Sequence, residues 1–322
     1  MKVAFDVKKM FLKASKEYMI IFAILVLGCI FSIASPYFLT VNNMTNILLQ
    51  AATLSIVAIG QAIVLLTGQM DLSLGQNVCL TGYIMAYLMV NKGMNPWLAI
   101  LIGISVACLV GAVNGFLFAY CNIPAFIVTL GMQNICMGSA KLITNATPVS
   151  RLPKEIAFLG RGWIGDVIPV SVIIMLVLYI IIQFVSVKTK MGRQFYAVGG
   201  NSEAAFFAGI NKRAVYLRAF TLAGLFAGIG SCVLISRLNS ANVTNGSAYE
   251  FDAMISCVIG GLSMTGGKGR VVSSLFGAIF LILFFNGMTM LNVDPFFQNV
   301  LKGIVLIGAI GLDVFRNRQK RV

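Results

Sequence analysis

Ile168-Pro-Val-Ser-Val-Ile-Ile-Met-Leu-Val-Leu-Tyr-Ile-Ile-Ile-Gln-Phe-Val-Ser-Val187 carries no charge anywhere in its length. An α-helix rises about 1.5 Å per residue, so this stretch reaches about 30 Å, the thickness of a bilayer's hydrocarbon core. It is read as a membrane-spanning helix, and the rest of the chain agrees with it. Of 322 residues, 59% are apolar and only 11% charged, and the mean hydropathy is +0.92. Soluble domains carry roughly 25% charged residues. So much apolar surface has no soluble core to hide in, and its solvent must be lipid. That excludes a soluble enzyme, a disordered chain and, despite a net charge of +14, a nucleic-acid-binding module.

Nine further segments have the same character, giving ten near 18–35, 45–68, 73–90, 97–120, 124–144, 168–187, 216–236, 249–264, 271–291 and 297–313. The joints at 69–72 and 249–270 are the least regular. Lysines precede the first run as in a signal peptide, but the run is long and no small-x-small site follows Pro36, so it is read as a retained helix. Lys and Arg gather on cytoplasmic loops. With ten crossings and both termini inside, 17 basic residues fall on the cytoplasmic side and 5 outside. The positive charge is therefore topology.

Catalytic and metal-binding roles find no residues to carry them. There is no His, which removes the usual general base and the commonest metal ligand. The seven Cys lie mostly in apolar runs without a C-x-x-C pair and read as small buried hydrophobes. Thr265-Gly-Gly-Lys-Gly-Arg270 fails as a phosphate loop, because Leu262 stands where the first Gly belongs and Gly269 where Ser or Thr belongs. If ATP drives this protein, another chain hydrolyses it.

The spans hold neutral polar groups instead, among them Gln61, Asn77, Gln133 and Asn286. Unpaired polar groups in hydrocarbon cost several kcal/mol, so these residues either glue helices or line a path for a polar, uncharged solute. Asp71 lies at the joint of the second and third spans, and Asp252 beside Glu250 near the outer start of the eighth. No carboxylate is expected in mid-span opposite a buried base, and Lys141 and Lys302 are expected to snorkel at outer helix ends. The small-xxx-small pairs Gly111/Gly115 and Gly224/Gly228 are read as helix-packing surfaces. Two Gly-rich breaks, 66–75 and 260–269, share a loose pattern.

The longest inward loop, 188–215, contains Asn201-Ser-Glu-Ala-Ala-Phe-Phe-Ala-Gly209. Asn201 or Ser202 can cap a helix, Glu203 suits its positive end and Gly209 its stop. A helix of about seven residues is marginal in water alone. With Phe206 and Phe207 on it, it reads as a docking element.

Five stretches resemble, in order and along nearly the whole chain, the membrane permeases of bacterial ATP-binding-cassette importers for monosaccharides of the ribose, xylose and galactose type. They are Leu65–Gly75, Ile123–Gly131, Met191–Ala205, Tyr249–Ala253 and Gly260–Arg270. The resemblance implies an all-α polytopic membrane protein of about ten transmembrane helices, some broken or short, with both termini cytoplasmic. It implies one permease domain over 1–322, with cytoplasmic tails at 1–17 and 314–322 and a cytoplasmic coupling loop at 188–215.

The implied function is to carry a ribose-like sugar across the bacterial inner membrane by alternating access, as a non-catalytic subunit. The implied partners are a second permease copy, an ATPase with two fused nucleotide-binding domains, a periplasmic sugar-binding protein and membrane lipid, with no nucleic acid. ATP and Mg would sit on the ATPase and no cofactor on this chain. The coupling segment would comprise Gly199, Gly200, Asn201, Ser202, Glu203, Ala204, Ala205, Phe206 and Gly209. Path candidates are Gln61, Asp71, Asn77, Gln133 and Asn286. The alternative is an ion-coupled secondary transporter of a small polar solute.

Overall fold

A computed structural model of the chain describes residues 19–165 and 167–318. The 1–17 tail and residues 319–322 lie outside the described residues. Each of the ten predicted segments holds one helix: α1 (Met19–Ala34), α2 (Val41–Leu66), α3 (Leu74–Val90), α4 (Pro96–Ala119), α5 (Ala125–Thr144), α7 (Val170–Lys188), α10 (Lys212–Leu238), α11 (Tyr249–Ile259), α12 (Ser273–Met290) and α13 (Pro295–Arg318). Six of them, α2, α4, α5, α7, α10 and α12, are long and apolar enough to cross a bilayer. The protein is therefore predominantly helical and multi-pass.

Polar side chains set several helix starts earlier than hydropathy does. Thr40 Oγ1 accepts from the Asn43 amide and begins α2 at Val41. Asn95 accepts from Trp97 and Leu98, with Pro96 in the first turn of α4. Asn211 accepts from Ala214 at 3.1 Å, so α10 starts at Lys212, inside the expected loop. The rest of that loop is also helical, as α8 (Lys190–Gly200) and α9 (Ser202–Phe207). α13 runs to Arg318, into the expected C-terminal tail. By contrast α11 has 11 residues where the sequence suggests sixteen. It stops at Gly260, where a Cβ would strike the Ser273 carbonyl, and Gly261 follows with φ +102°. Eleven residues reach about 16 Å, half the hydrocarbon core.

The centre of the molecule is α2 and α10, both mostly buried. Both small-xxx-small stripes are packing surfaces, and they meet each other. A Cβ on Gly111 would strike the Phe220 carbonyl, and one on Gly224 the Ala107 carbonyl. Gly115 lies on Leu217 and Gly228 on Ile104, so α4 and α10 cross antiparallel at backbone distance. α3 runs parallel to α10, with the Ser231 hydroxyl donating to the Val78 carbonyl at 2.6 Å.

The alternating helix directions collect the chain's turns at two ends. One end holds the finish of α2, α8, α9 and the 260–272 turn. The other holds α6 (Lys154–Arg161) and two small antiparallel sheets, none of which hydropathy suggests. β1 (Val149–Ser150) pairs with β4 (Ser240–Ala241), and β2 (Trp163–Ile164) with β3 (Ile168–Pro169).

Candidate functional site

At the first end the expected short helix is present as α9. Asn201 is its cap: its Oδ1 accepts from the amides of Glu203 (3.0 Å) and Ala204 (2.9 Å). Gly209 closes it with φ +78°, a conformation most side chains avoid. Phe206 is 60% and Phe207 87% exposed, and the Lys212 ammonium stands 5.9 Å from the Phe206 ring. Glu203 and Ala204 share the exposed side, while Ala205 turns inward and is buried.

Gly199 is not on that surface. A Cβ there would strike the Leu66 carbonyl and crowd the Gly267 amide, which itself donates to Leu66 at 2.9 Å. Gly266, with φ +80°, lies against Gly68, and Gly267 against Gly200. Three backbone segments, the finish of α2, the finish of α8 and the 260–269 turn, thus meet where only glycine fits. The two Gly-rich breaks of similar sequence pack on one another. The Tyr196 hydroxyl donates to the Gly269 carbonyl at 2.9 Å. Burial pushes its phenol above the ordinary value, with Arg270 pulling the other way, so it remains a donor at neutral pH.

The second candidate region lies where α3 and α11 begin. Asp71 is buried, and its Oδ1 accepts from the Ser73 amide (2.9 Å) and hydroxyl (2.6 Å). Asn114 of α4 donates to the same hydroxyl at 2.8 Å. Gly75 carries no side chain because the Glu250 carboxylate and the Gly246 carbonyl occupy the space. Glu250 Oε1 accepts from Gln133 Nε2 of α5 at 3.1 Å. Acids thus gather near the starts of two interior helices: Asp71 bonds Ser73, the residue before α3, and Glu250 and Asp252 lie in the first turn of α11.

The path candidates separate on this geometry. Asp71, Asn77 and Gln133 come to this region, with Asn77 Nδ2 donating to the Ala107 carbonyl at 3.2 Å. Gln61 is fully buried in α2, and neither of its amide atoms has a partner among the described residues. Asn286 stands apart: it and Asn43 exchange reciprocal amide hydrogen bonds of 2.9 Å beside Phe31 and Phe38, tying α12 to α2 as helix glue.

Sequence reasoning counts Asn114 among the polar groups of the spans without a path role, and it missed the Gln133–Glu250 link, because residues 117 positions apart give no local signal. It also misplaced Lys302. Rather than snorkelling, Lys302 pairs with Asp252 at 3.0 Å and lies 4.9 Å from the Phe285 ring. The short α11 carries its acid to α13, so a carboxylate does face a partly buried base.

α5 differs from its neighbours in what it leaves open. Its exposed face presents Gly131, Asn134 and Lys141 among apolar residues, and Gly138 also borders open space. α7, the most apolar of the six long helices, exposes Leu176, Val177, Ile180, Ile181, Phe184 and Val187.

A family model described as the permease component of the branched-chain amino acid transport system matches residues 43–310. The ribose import permease protein of Escherichia coli K12 is 37% identical over 295 residues, 90% of this chain and 91% of its own length. The D-allose transport system permease protein of the same organism is 35% identical over 300 residues (92% and 91%). Its galactose/methyl galactoside import permease protein is 34% identical over 332 residues (98% of each). No solved structure matches.

Proposed function

The chain belongs to the permease family matched over residues 43–310, and on that footing we propose that it is the membrane-spanning subunit of an ATP-binding-cassette importer for a ribose-like monosaccharide. The observation that carries the solute class is the gathering of three buried acids at these helix starts, Asp71 just before α3 and Glu250 and Asp252 in the first turn of α11. Broken-helix transporters aim free helix N-termini at anionic substrate groups. Here those ends already face carboxylates, and the cation nearby, Lys302, is already paired. A branched-chain amino acid would bring a carboxylate into this acidic surrounding. A neutral polyol meets amides and acceptors that match its hydroxyls. The relatives named for ribose, allose and galactose transport support the same reading.

The single permease domain, 1–322, sits in the bacterial inner membrane with both termini in the cytoplasm. Two identical copies enclose the path. An ATPase with two fused nucleotide-binding domains receives α9 and holds the ATP and Mg, and a periplasmic binding protein delivers the sugar. This chain binds no cofactor and catalyses nothing. Asn201, Ser202, Glu203, Ala204, Phe206 and Gly209 form the docking surface, while Gly199, Gly200 and Ala205 seat it on the permease. Alternating access follows when ATPase closure moves α9 and, through the glycine junction, the finish of α2. Asp71, Asn77 and Gln133 are the path residues.

Affinity capture of the chain from native membranes should bring down a double ATPase, and ribose uptake should require ATP. Deleting 201–208 should abolish uptake while leaving the chain in the membrane. Normal uptake by that deletion would overturn the docking assignment. The Asp252–Lys302 pair favours one second reading, an ion-coupled carrier, since such pairs serve as ion relays. That carrier would take up solute in vesicles of the purified chain under an ion gradient, without ATP.

A further inference from the structure

An apolar patch is left uncovered on α6 and the β2–β3 hairpin, at the end of the molecule opposite α9. Its depth is fixed by what it is joined to. α7 has 19 residues and reaches about 28 Å, close to the thickness of the hydrocarbon core. The hairpin closes on the first residue of α7, Val170, whose amide donates to the Gly162 carbonyl at 2.9 Å. Its other foot is α6, seated on the finish of α10. A Cβ on Gly160 would strike the Arg237 amide, and Arg161 Nε donates to the Arg237 carbonyl at 3.0 Å. Both feet are pinned, so the hairpin is held where hydrocarbon gives way to headgroups.

At that depth its exposed side chains are apolar. Trp163, Ile164, Val167 and Ile168 are all exposed, Val167 at 74%. Trp163 stands opposite Pro169 and Ile164 opposite Ile168. Alternate residues of a strand take opposite faces, so the two isoleucines share the outer face and the buried Pro169 marks the inner one. Phe158 of α6 is exposed beside them, its ring lying where a Cβ on Gly162 would go. Lys154 and Arg161, also exposed, flank Phe158 about one turn to either side. Two strands of two residues are marginal at best in water by themselves. Deep in hydrocarbon their edge groups would find no partners. The headgroup layer meets both needs: its water pairs the backbone edges and the acyl chains receive the side chains. Tryptophan gathers at this level, with its ring apolar and its N–H wet, and cations there meet lipid phosphates.

We propose that Phe158 and the β2–β3 hairpin form an interfacial anchor that binds the phospholipid surface at this end of the molecule, with Trp163 at headgroup depth. Lipid, unlike a soluble partner, reaches every exposed side of so small a projection. The anchor is independent of the solute carried.

The chain supplies its own reporter. It has two tryptophans, Trp97 and Trp163, so Trp97→Phe leaves Trp163 as the single indole. The purified full chain is reconstituted in phosphatidylcholine vesicles whose acyl chains carry bromine, a contact quencher of indole, either close to the headgroup or close to the chain end. Bromine near the headgroup should quench Trp163 severalfold more than bromine at the chain end, and iodide added on both sides should leave most of the emission. Ile164→Thr with Ile168→Thr keeps β-branched residues in the strands and makes the outer face polar. It should shift the emission to longer wavelength and lose most of the lipid quenching. The difference in emission between the unaltered chain and Trp163→Phe reads the same indole where Trp97→Phe does not insert.

Free quenching by iodide with none from either lipid would overturn the proposal and leave the patch to a soluble partner. Protection from all three quenchers would overturn it in favour of a second copy of the chain. Stronger quenching from the chain ends would place Trp163 too deep for an interfacial anchor. Unchanged lipid quenching in the double threonine variant would show that the apolar face does not hold the hairpin there, and would overturn the proposal as well.

Discussion

α5 and α7 are of similar length, 20 and 19 residues, and each leaves much of its surface uncovered. Their outer faces are opposites. α7 exposes Leu, Val, Ile and Phe until Lys188 at its end, while α5 interrupts its apolar residues with Gly131, Asn134 and Gly138 before Lys141 near its end. Their inner anchors differ in the same sense. α7 is held by a neutral phenol: Tyr179 Oη donates to the Ser55 carbonyl at 3.0 Å and lies 2.9 Å from Ser274 Oγ. α5 is held by an amide on a carboxylate, Gln133 on Glu250. One outer face is thus uniformly apolar along its middle, and the other is interrupted by polar and small residues.

The harshest way to break the comparison is through α11, on which α5 leans. Asp252→Ala leaves the Lys302 ammonium unpaired in a partly buried place, which should cost about 3–5 kcal/mol. A thermal-unfolding shift in detergent measures it, and Asp252→Ala with Lys302→Ala should recover most of the loss. If the single variant matches wild type, the pair does not join α11 to α13.

A charge on each outer face comes next. Ile180→Asp puts a carboxylate in lipid at about 2.5–3.5 kcal/mol, so the amount of chain in the membrane should fall steeply. Asn134→Asp should change it less than about twofold, since that face meets polar surroundings. Equal losses from the two substitutions would erase the distinction.

The inner anchors predict a smaller effect. Tyr179→Phe removes one buried donor and should lower stability by about 1–2 kcal/mol while leaving solute selectivity alone. The smallest effect on stability is at Asn134→Leu, within about 0.5 kcal/mol, because the side chain is exposed and bonds only its own helix. A larger loss in thermal unfolding would show that Asn134 holds more than its own helix.

Much of this was legible along the chain wherever the signal is local. The α7 run, the α9 cap at Asn201, the stop at Gly209 and the small-xxx-small stripes all depend on residues within a few positions of one another. The exact end of α11 was only half legible: the Gly-rich break at 260–269 announced a stop, but its placement at Gly260 depends on the close approach of the Ser273 carbonyl, which leaves no room for a Cβ there. Lys302 was misread for the same kind of reason, as its partner is 50 residues away. Gly199, read as part of the docking surface, turned out to be spent on backbone contact with Leu66 and Gly267.

Lipid as solvent, the helical character of the chain and the uneven spread of basic residues follow from composition and period alone, because burial in hydrocarbon obliges every backbone group to pair within its own helix. Which polar side chains meet, that the two glycine stripes face each other, that Gln133 reaches Glu250, and that α5 rather than α7 is left with a polar face were decided only by packing. Those contacts join residues far apart in sequence, and their energies depend on distance and burial, which a linear pattern does not contain.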